Sequence, residues 1–267
     1  MLHRTRKFAD KVIRRIISVV PTRSLEGWEK RHEKRVIESV EKIVPYIPEK
    51  GFFLDIGCNI GSFSRHLRAR RPGARGILFE PVEEYAAIAQ GRFEDDDGIE
   101  VLNIGLGNEN AEKTIYKPNF NYGGNSLVTE IMFDQRPNAA VPQGTQFEEE
   151  TVTIRHVTDW LDDRGITEVD VIKMDTEGYD WAVMEGLLPW LKRTGQRPVL
   201  FIEVFTAEWH PLADRQAAAF EAYYELGYGR VDIESLITGI CGDALLIHES
   251  ETDSGASTTG GSPSVGK

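Results

Sequence analysis

Between residues 51 and 106 the sequence alternates short apolar runs with stretches of helical periodicity: "GFFLDIG", "SFSRHLRAR", "GILFEP", "VEEYAAIAQGRF" and "IEVLNIGL". The apolar runs are too short for buried helices and read as strands. Strands joined through helices lie side by side in parallel, with the helices covering both faces of the sheet. The rhythm resumes in "VDVIKMD", "YDWAVMEGLLPWLKR", "RPVLFIEVF", "RQAAAFEAYYELGY" and "ALLIHES". This pattern predicts an α/β protein with a doubly wound sheet.

The middle of the chain breaks the pattern. "GNENAEKTIYKP" reads as a small hairpin, and "NFNYGGNSLVTEIMFDQRPNAAVPQGTQ" as a Gly/Asn/Pro-rich insertion between the third and fourth core strands. So long an irregular stretch inside a compact domain is functional or disordered. "EETVTIRHV" returns to strand and "TDWLDDRG" to a short helix. Ahead of the domain, Phe8, Val12, Ile16 and Val20 recur every four residues, which predicts an amphipathic helix over 4–20. A second helix is expected from Leu25 to Val44, stopped by "PYIPEKG". The expected organisation is basic helices over 1–46, one α/β domain over 47–250, and a low-complexity tail over 251–267.

Composition narrows the function. The 267 residues carry a net charge of −12, unevenly distributed. Residues 1–35 hold eleven Lys/Arg against four Asp/Glu, a net of +7, which leaves −19 for the rest. An acidic body repels phosphate backbones, so no nucleic-acid partner is expected. No apolar run is long enough to span a bilayer, and basic residues interrupt the N-terminal one, which argues against a secretory signal. Two cysteines, Cys58 and Cys241, provide no disulfide framework, and a cytoplasmic location is expected. The basic amphipathic start also suits peripheral contact with an inner membrane face, although such a stripe more commonly packs on its own domain.

The turn "FLDIGCNIGSF" carries the chemistry. Ligands of open α/β sheets sit beyond the strand carboxyl ends, near the first strand–helix turn. A dinucleotide turn reads G-x-G-x-x-G; this one reads D-x-G-x-x-x-G, with Asp55 where a pyrophosphate would be repelled. An acid beside a glycine-lined turn suits a cationic, phosphate-free ligand such as S-adenosyl-L-methionine. Glu80, ending the next strand, supplies a carboxylate that can accept both ribose hydroxyls. The competing reading is a generic turn with a surface acid.

The blocks "FLDIGCNIGSFS", "GILFEPVEEY", "VLNIGLGNENAEKTIY", "GGNSLV", "VTDWLD", "DVIKMDTEGYDWAVMEGL" and "LFIEVF" fall in an order that resembles the FkbM-type S-adenosylmethionine-dependent methyltransferases. The similarity covers roughly residues 50–205. It implies a class I methyltransferase (Rossmann-like) fold and methylation of hydroxyls, often on sugars of glycolipids, polysaccharides or antibiotics. It also implies that Asp55, Gly57, Asn59 and Gly61 contact the methionine and ribose portions and that Glu80 holds the ribose; Asn103, in "VLNIGL", joins this set. Tyr179 and Asp180 depart from the family's usual residues after "EG" and are expected to alter the pocket wall.

Methyl transfer to an alcohol needs alignment and a route for the hydroxyl proton, through a base or a metal. "KMDTEG" supplies Asp175 and Glu177 at a strand's carboxyl end; the competing reading, stronger for Glu177 than for Asp175, is a cap of the next helix or a partner of Lys173. His210, in the loop after "RPVLFIEVF", is a further candidate base against the usual bland role of a histidine. Tyr122, Asn125 and Ser126 of the insertion have hydrogen-bonding side chains suited to an acceptor lid, or belong to a mere connector. No His/Cys/Asp cluster has recognisable metal-ligand spacing, so the sequence assigns no metal ligands and leaves a metal requirement open. Competing functions are a non-catalytic S-adenosylmethionine-binding module, a methyltransferase acting on a non-sugar small molecule, or a nicotinamide oxidoreductase, which the glycine spacing opposes.

Overall fold

The computed structural model describes residues 25–119, 121–134, 141–207, 210–232 and 241–249. The expected helix over 4–20 and the tail over 251–267 lie outside them. Helix α1 (Leu25–Ile43) precedes strand β1 (Phe52–Ile56), and then α2 (Ser62–Arg70), β2 (Arg75–Phe79), α3 (Glu83–Arg92) and β3 (Ile99–Leu102) follow in the predicted rhythm. After the insertion come β7 (Val171–Met174), α6 (Asp180–Thr194), β8 (Val199–Phe205), α7 (Ala213–Tyr224), β9 (Tyr228–Asp232) and β10 (Cys241–His248). These strands form one seven-stranded sheet ordered β3-β2-β1-β7-β8-β10-β9. The first five run parallel, while β10 runs antiparallel to both β8 and β9.

Alternation along each strand sorts the core into two layers. On one face Phe53, Leu78, Val171, Phe201 and Leu245 pack beneath α1 and α2 with Val40, Ile43, Phe63 and Leu67. On the other, Leu54, Ile172, Met174, Leu200 and Ile202 meet Leu187, Trp190 and Leu191 of α6 and Tyr223 of α7.

The insertion holds β4 (Gly105–Gly107), β5 (Ala111–Pro118), the short α4 (Thr129–Met132), β6 (Phe147–His156) and α5 (Val157–Asp163). The hairpin expected in "GNENAEKTIYKP" does not form. β6 runs between β4 and β5, parallel to the first and antiparallel to the second, in a separate sheet. Eight residue pairs tie β5 to β6, whereas β4 offers three residues, too few to anchor a hairpin of its own. Among the described residues no helix is long and apolar enough to cross a membrane.

Candidate active site

The turn after β1 is shaped by left-handed backbone. Gly57 (φ 75°), Asn59 (φ 51°) and Gly61 (φ 78°) all have positive φ. A Cβ on Gly57 would collide with the Asp175 carbonyl, and one on Gly61 would come within 2.7 Å of Phe93. The first glycine lets the β1 and β7 turns touch, and the second seats the start of α2. Asn59 is held in its unusual conformation from three sides. Its N–H donates to Glu80 Oε2 (2.8 Å), its Nδ2 donates to the Tyr122 carbonyl (3.0 Å), and its Oδ1 accepts from the Ile60 N–H (2.8 Å). Glu80 also accepts the Val82 N–H at 2.9 Å. Burial nevertheless dominates and pushes the Glu80 carboxyl up to about 7.

Beyond these turns lies a cavity that opens to solvent. Gly57, Asn59, Glu80, Asn125, Asp175 and Glu177, all expected site residues, line it. Tyr179 lines it too, as its departure from the family pattern suggested. Two lining polar atoms, Asn125 Oδ1 and Thr176 Oγ1, are buried and take no hydrogen bond among the described residues. Unsatisfied groups facing a cavity are suited to a polar ligand.

Other expected contacts are redirected. Asp55 is fully buried and does not line the cavity. Its carboxylate lies 2.9 Å from Lys173 Nζ and accepts the Ser64 hydroxyl at 2.6 Å, while Lys173 donates to the Gly57 carbonyl at 2.7 Å. Burial works against the lysine's charge, yet the Asp55 carboxylate raises its pKa above the ordinary value. Asp55 therefore braces the turn from beneath. Asn103 donates to the Glu80 and Pro81 carbonyls and fixes the same strand end without lining the cavity.

Ser126 is fully buried, donates to the Glu177 carbonyl at 2.7 Å and accepts the Val128 N–H at 3.0 Å, so it shapes the wall and offers nothing to an acceptor. Tyr122 packs with Ile60, Val82 and Ile115, and only its carbonyl reaches Asn59. His210 is corrected as a base. Its Nδ1 accepts the Leu212 N–H at 3.0 Å, its Nε2 lies 3.2 Å from the Gly178 carbonyl, and its ring packs edge-on against Phe205. With both nitrogens engaged in a buried ring, it is a structural strut.

Asp175 and Glu177 occupy the turn after β7, both half-buried. Neither caps α6, whose N-cap residue Tyr179 makes no side-chain capping bond; Asp180, the first residue of the helix, accepts the Thr176 N–H on Oδ1 at 3.2 Å and so braces the turn. Asp175 stands 3.7 Å from Lys173, and its side chain remains 40% exposed, enough to meet a ligand. Glu177 has positive φ (52°) without being glycine, and the Ser126 bond to its carbonyl secures that backbone. Burial, then the Asp175 charge, raises its carboxyl well above the usual range.

Sequence reasoning missed Trp28. It reaches the cavity from α1, donates from Nε1 to Asn121 Oδ1 (3.1 Å) and abuts Gly123, where a Cβ would come within 2.6 Å of its ring. Glu29 anchors this end of α1 through Arg92 (2.8 Å) and the Ser62 hydroxyl (2.6 Å). Burial opposes the Glu29 charge, but these bonds hold its carboxyl below the usual range.

Sheet order, and a cavity beyond the carboxyl ends of β1, β2 and β7, make this a class I, Rossmann-like methyltransferase fold. The chain belongs to the FkbM methyltransferase family: the methyltransferase FkbM domain matches residues 55–226. Methyltransferase 1 of Beauveria bassiana is 26% identical over 167 residues, covering 58% of this chain and 66% of that protein. Methyltransferase sdnD of Sordaria araneosa is 26% identical over 161 residues, covering 53% and 62%. The chain thus spans just under two thirds of these two relatives. The 2-O-methyltransferase NoeI of Sinorhizobium fredii is 27% identical over 185 residues, covering 68% of this chain and 69% of that protein. The crystal structure of methyltransferase FkbM from Methylobacillus flagellatus aligns with a TM-score of 0.48 at 14% identity, covering 83% of this chain and 59% of that one.

Proposed function

We propose that the chain is an S-adenosylmethionine-dependent O-methyltransferase whose acceptor is a hydroxyl, on a sugar of a glycolipid, polysaccharide or secondary metabolite. The observation that carries this reading is that Glu80, at the end of β2, and Asp175, at the end of β7, open into the same cavity. In this reading one carboxylate serves a ribose and the other a reacting hydroxyl. The residues fit the cofactor: Glu80 accepts ribose hydroxyls, Gly57 and Asn59 form a close-approach turn, and Asn125 Oδ1 and Thr176 Oγ1 have hydrogen-bonding capacity to spare.

When bound, S-adenosylmethionine supplies an electrophilic methyl group for the acceptor oxygen. The chain's part is alignment and proton removal. Asp175 would accept the hydroxyl's hydrogen bond and take its proton as the methyl group is transferred. Lys173, held by Asp55, fixes the Gly57 carbonyl and keeps the β1 and β7 turns in register. Trp28, Asn121 and Gly123 close one wall and limit water. A family relative named as a 2-O-methyltransferase supports a hydroxyl acceptor.

Mass spectrometry of glycolipids, polysaccharides and small metabolites from cells with and without the gene tests the reading. A glycan lacking one CH2 unit in the deletion strain is expected. A change confined to non-sugar metabolites would move the acceptor class, and no methylation change in any pool would favour a binding module.

A further inference from the structure

Asp175, Glu177 and Glu203 each bring a carboxylate oxygen to within 4.8 Å of the others. The first two come from the turn after β7, the third from within β8. Such crowding of like charges is relieved either by holding a carboxyl neutral or by a cation among them. Two basic side chains face the cluster without pairing closely with it: Lys173 lies 2.9 Å from Asp55 against 3.7 Å from Asp175, and Arg35, 3.6 Å from Asp243, also acts electrostatically on Asp175, Glu177 and Glu203. Asp55, Asp175, Glu177, Asp180, Glu203 and Asp243 thus form a linked set of six carboxylates served by two basic side chains.

A second observation does not depend on the clustering. Glu203 is only 4% exposed, and its Oε2 takes no hydrogen bond among the described residues. A buried carboxylate oxygen without a donor is unfavourable unless something positive sits beside it.

We propose that Asp175, Glu177 and Glu203 hold a hard divalent cation, of the magnesium, manganese or calcium class, at the inner edge of the cavity. An all-oxygen donor set selects such ions over softer metals. Oxygens on opposite sides of one ion stand about 4.2 Å apart for magnesium and about 5 Å for calcium, twice the metal–oxygen distance. Adjacent oxygens stand about 3.0–3.5 Å apart, so three carboxylates within 4.8 Å of one another close around the ion as it binds, least for calcium. The sequence concealed the site because its third ligand arrives from the neighbouring strand. Asp175 and Glu177 also line the cavity, so the ion would coordinate the acceptor hydroxyl oxygen while its proton passes to the Asp175 oxygen left off the metal. That role rests on the methyl-transfer reading; the binding does not.

Manganese titration of the metal-stripped full chain, followed by the loss of the free-ion paramagnetic resonance signal, tests the site without methyl donor or acceptor present. Saturable binding of one ion per chain, displaced by excess magnesium or calcium, is expected. Glu203→Gln and Asp175→Asn should each weaken it by at least about tenfold. Asp175 is half-exposed, so its variant reports on binding even if the buried Glu203 substitution impairs folding. Absence of saturable binding into the millimolar range, or unchanged affinity in Asp175→Asn, would overturn the proposal. Neither result would disturb the methyl-transfer reading, which stands on transfer itself.

Discussion

Glu80 shows how one buried carboxyl links binding to pH. Its folded pKa of about 7 exceeds that of an unfolded glutamate, so between about pH 4.5 and 7 the folded chain holds a proton that the unfolded chain has released. Its contribution to the unliganded protein's stability is therefore present at low pH and is lost as pH rises through 7. Ribose hydroxyls donate to the ionised form, so cofactor affinity should run the other way, rising from pH 5.5 to 7.5 with proton release. Calorimetry in buffers of different ionisation enthalpy would detect that proton, and Glu80→Gln should abolish the dependence. At Asp175, conversion to Asn should leave cofactor affinity nearly intact and lower kcat by roughly 10²–10⁴ in single-acceptor kinetics; an unchanged kcat would remove Asp175 from the chemistry. Lys173→Met would strand the fully buried Asp55 and should cost about 3–5 kcal/mol in urea unfolding. The importance of Asp55 was legible in the turn sequence, but its direction was not. Register places it opposite Lys173 on the face beneath α1 and α2, and only the neighbouring strand decides that.

Elements built from local signals were readable. α2 occupies the predicted "SFSRHLRAR", and α1 ends at Ile43, one residue short of the expected Val44, because Pro45 and the turn after it stop the helix. The three-stranded sheet and β9 were not, since their pairing is decided by partners distant in sequence: β5 finds β6 across the whole insertion, and β9 pairs, among the described residues, with β10 alone. Trp28 escaped notice for the same reason, since nothing in "LEGWEK" announces a cavity more than 90 residues from its partner Asn121. α6 carries a further device. Pro189 interrupts its hydrogen bonds, and the Thr158 hydroxyl of α5 bridges the gap, donating to the Gly186 carbonyl (2.7 Å) and accepting the Trp190 N–H (3.1 Å). Thr158→Val keeps the shape but strands both groups. It should cost about 1–3 kcal/mol in thermal or urea unfolding, whereas Thr158→Ser should retain most of the stability.

On the scale of the whole molecule, an acidic α/β body is joined to a basic first segment. α1 seals one face of the sheet and contributes a cavity wall, so a chain starting near residue 47 should lose solubility, while one starting at Leu25 should keep its fold and its cofactor site. Residues 1–24 are the part to test for membrane contact: we propose flotation with anionic liposomes, in which the full chain rises and the chain from Leu25 does not, and equal behaviour of the two would refute it. We propose that the cavity beyond β1, β2 and β7 is a site for S-adenosylmethionine. Calorimetric titration of that cofactor into the purified full chain and into Glu80→Ala measures this directly. Saturable binding, weakened about ten- to a hundred-fold by loss of the charge-assisted ribose contact, is the predicted result. A folded Glu80→Ala that binds as tightly as the parent, or a parent that does not bind at all, would contradict it.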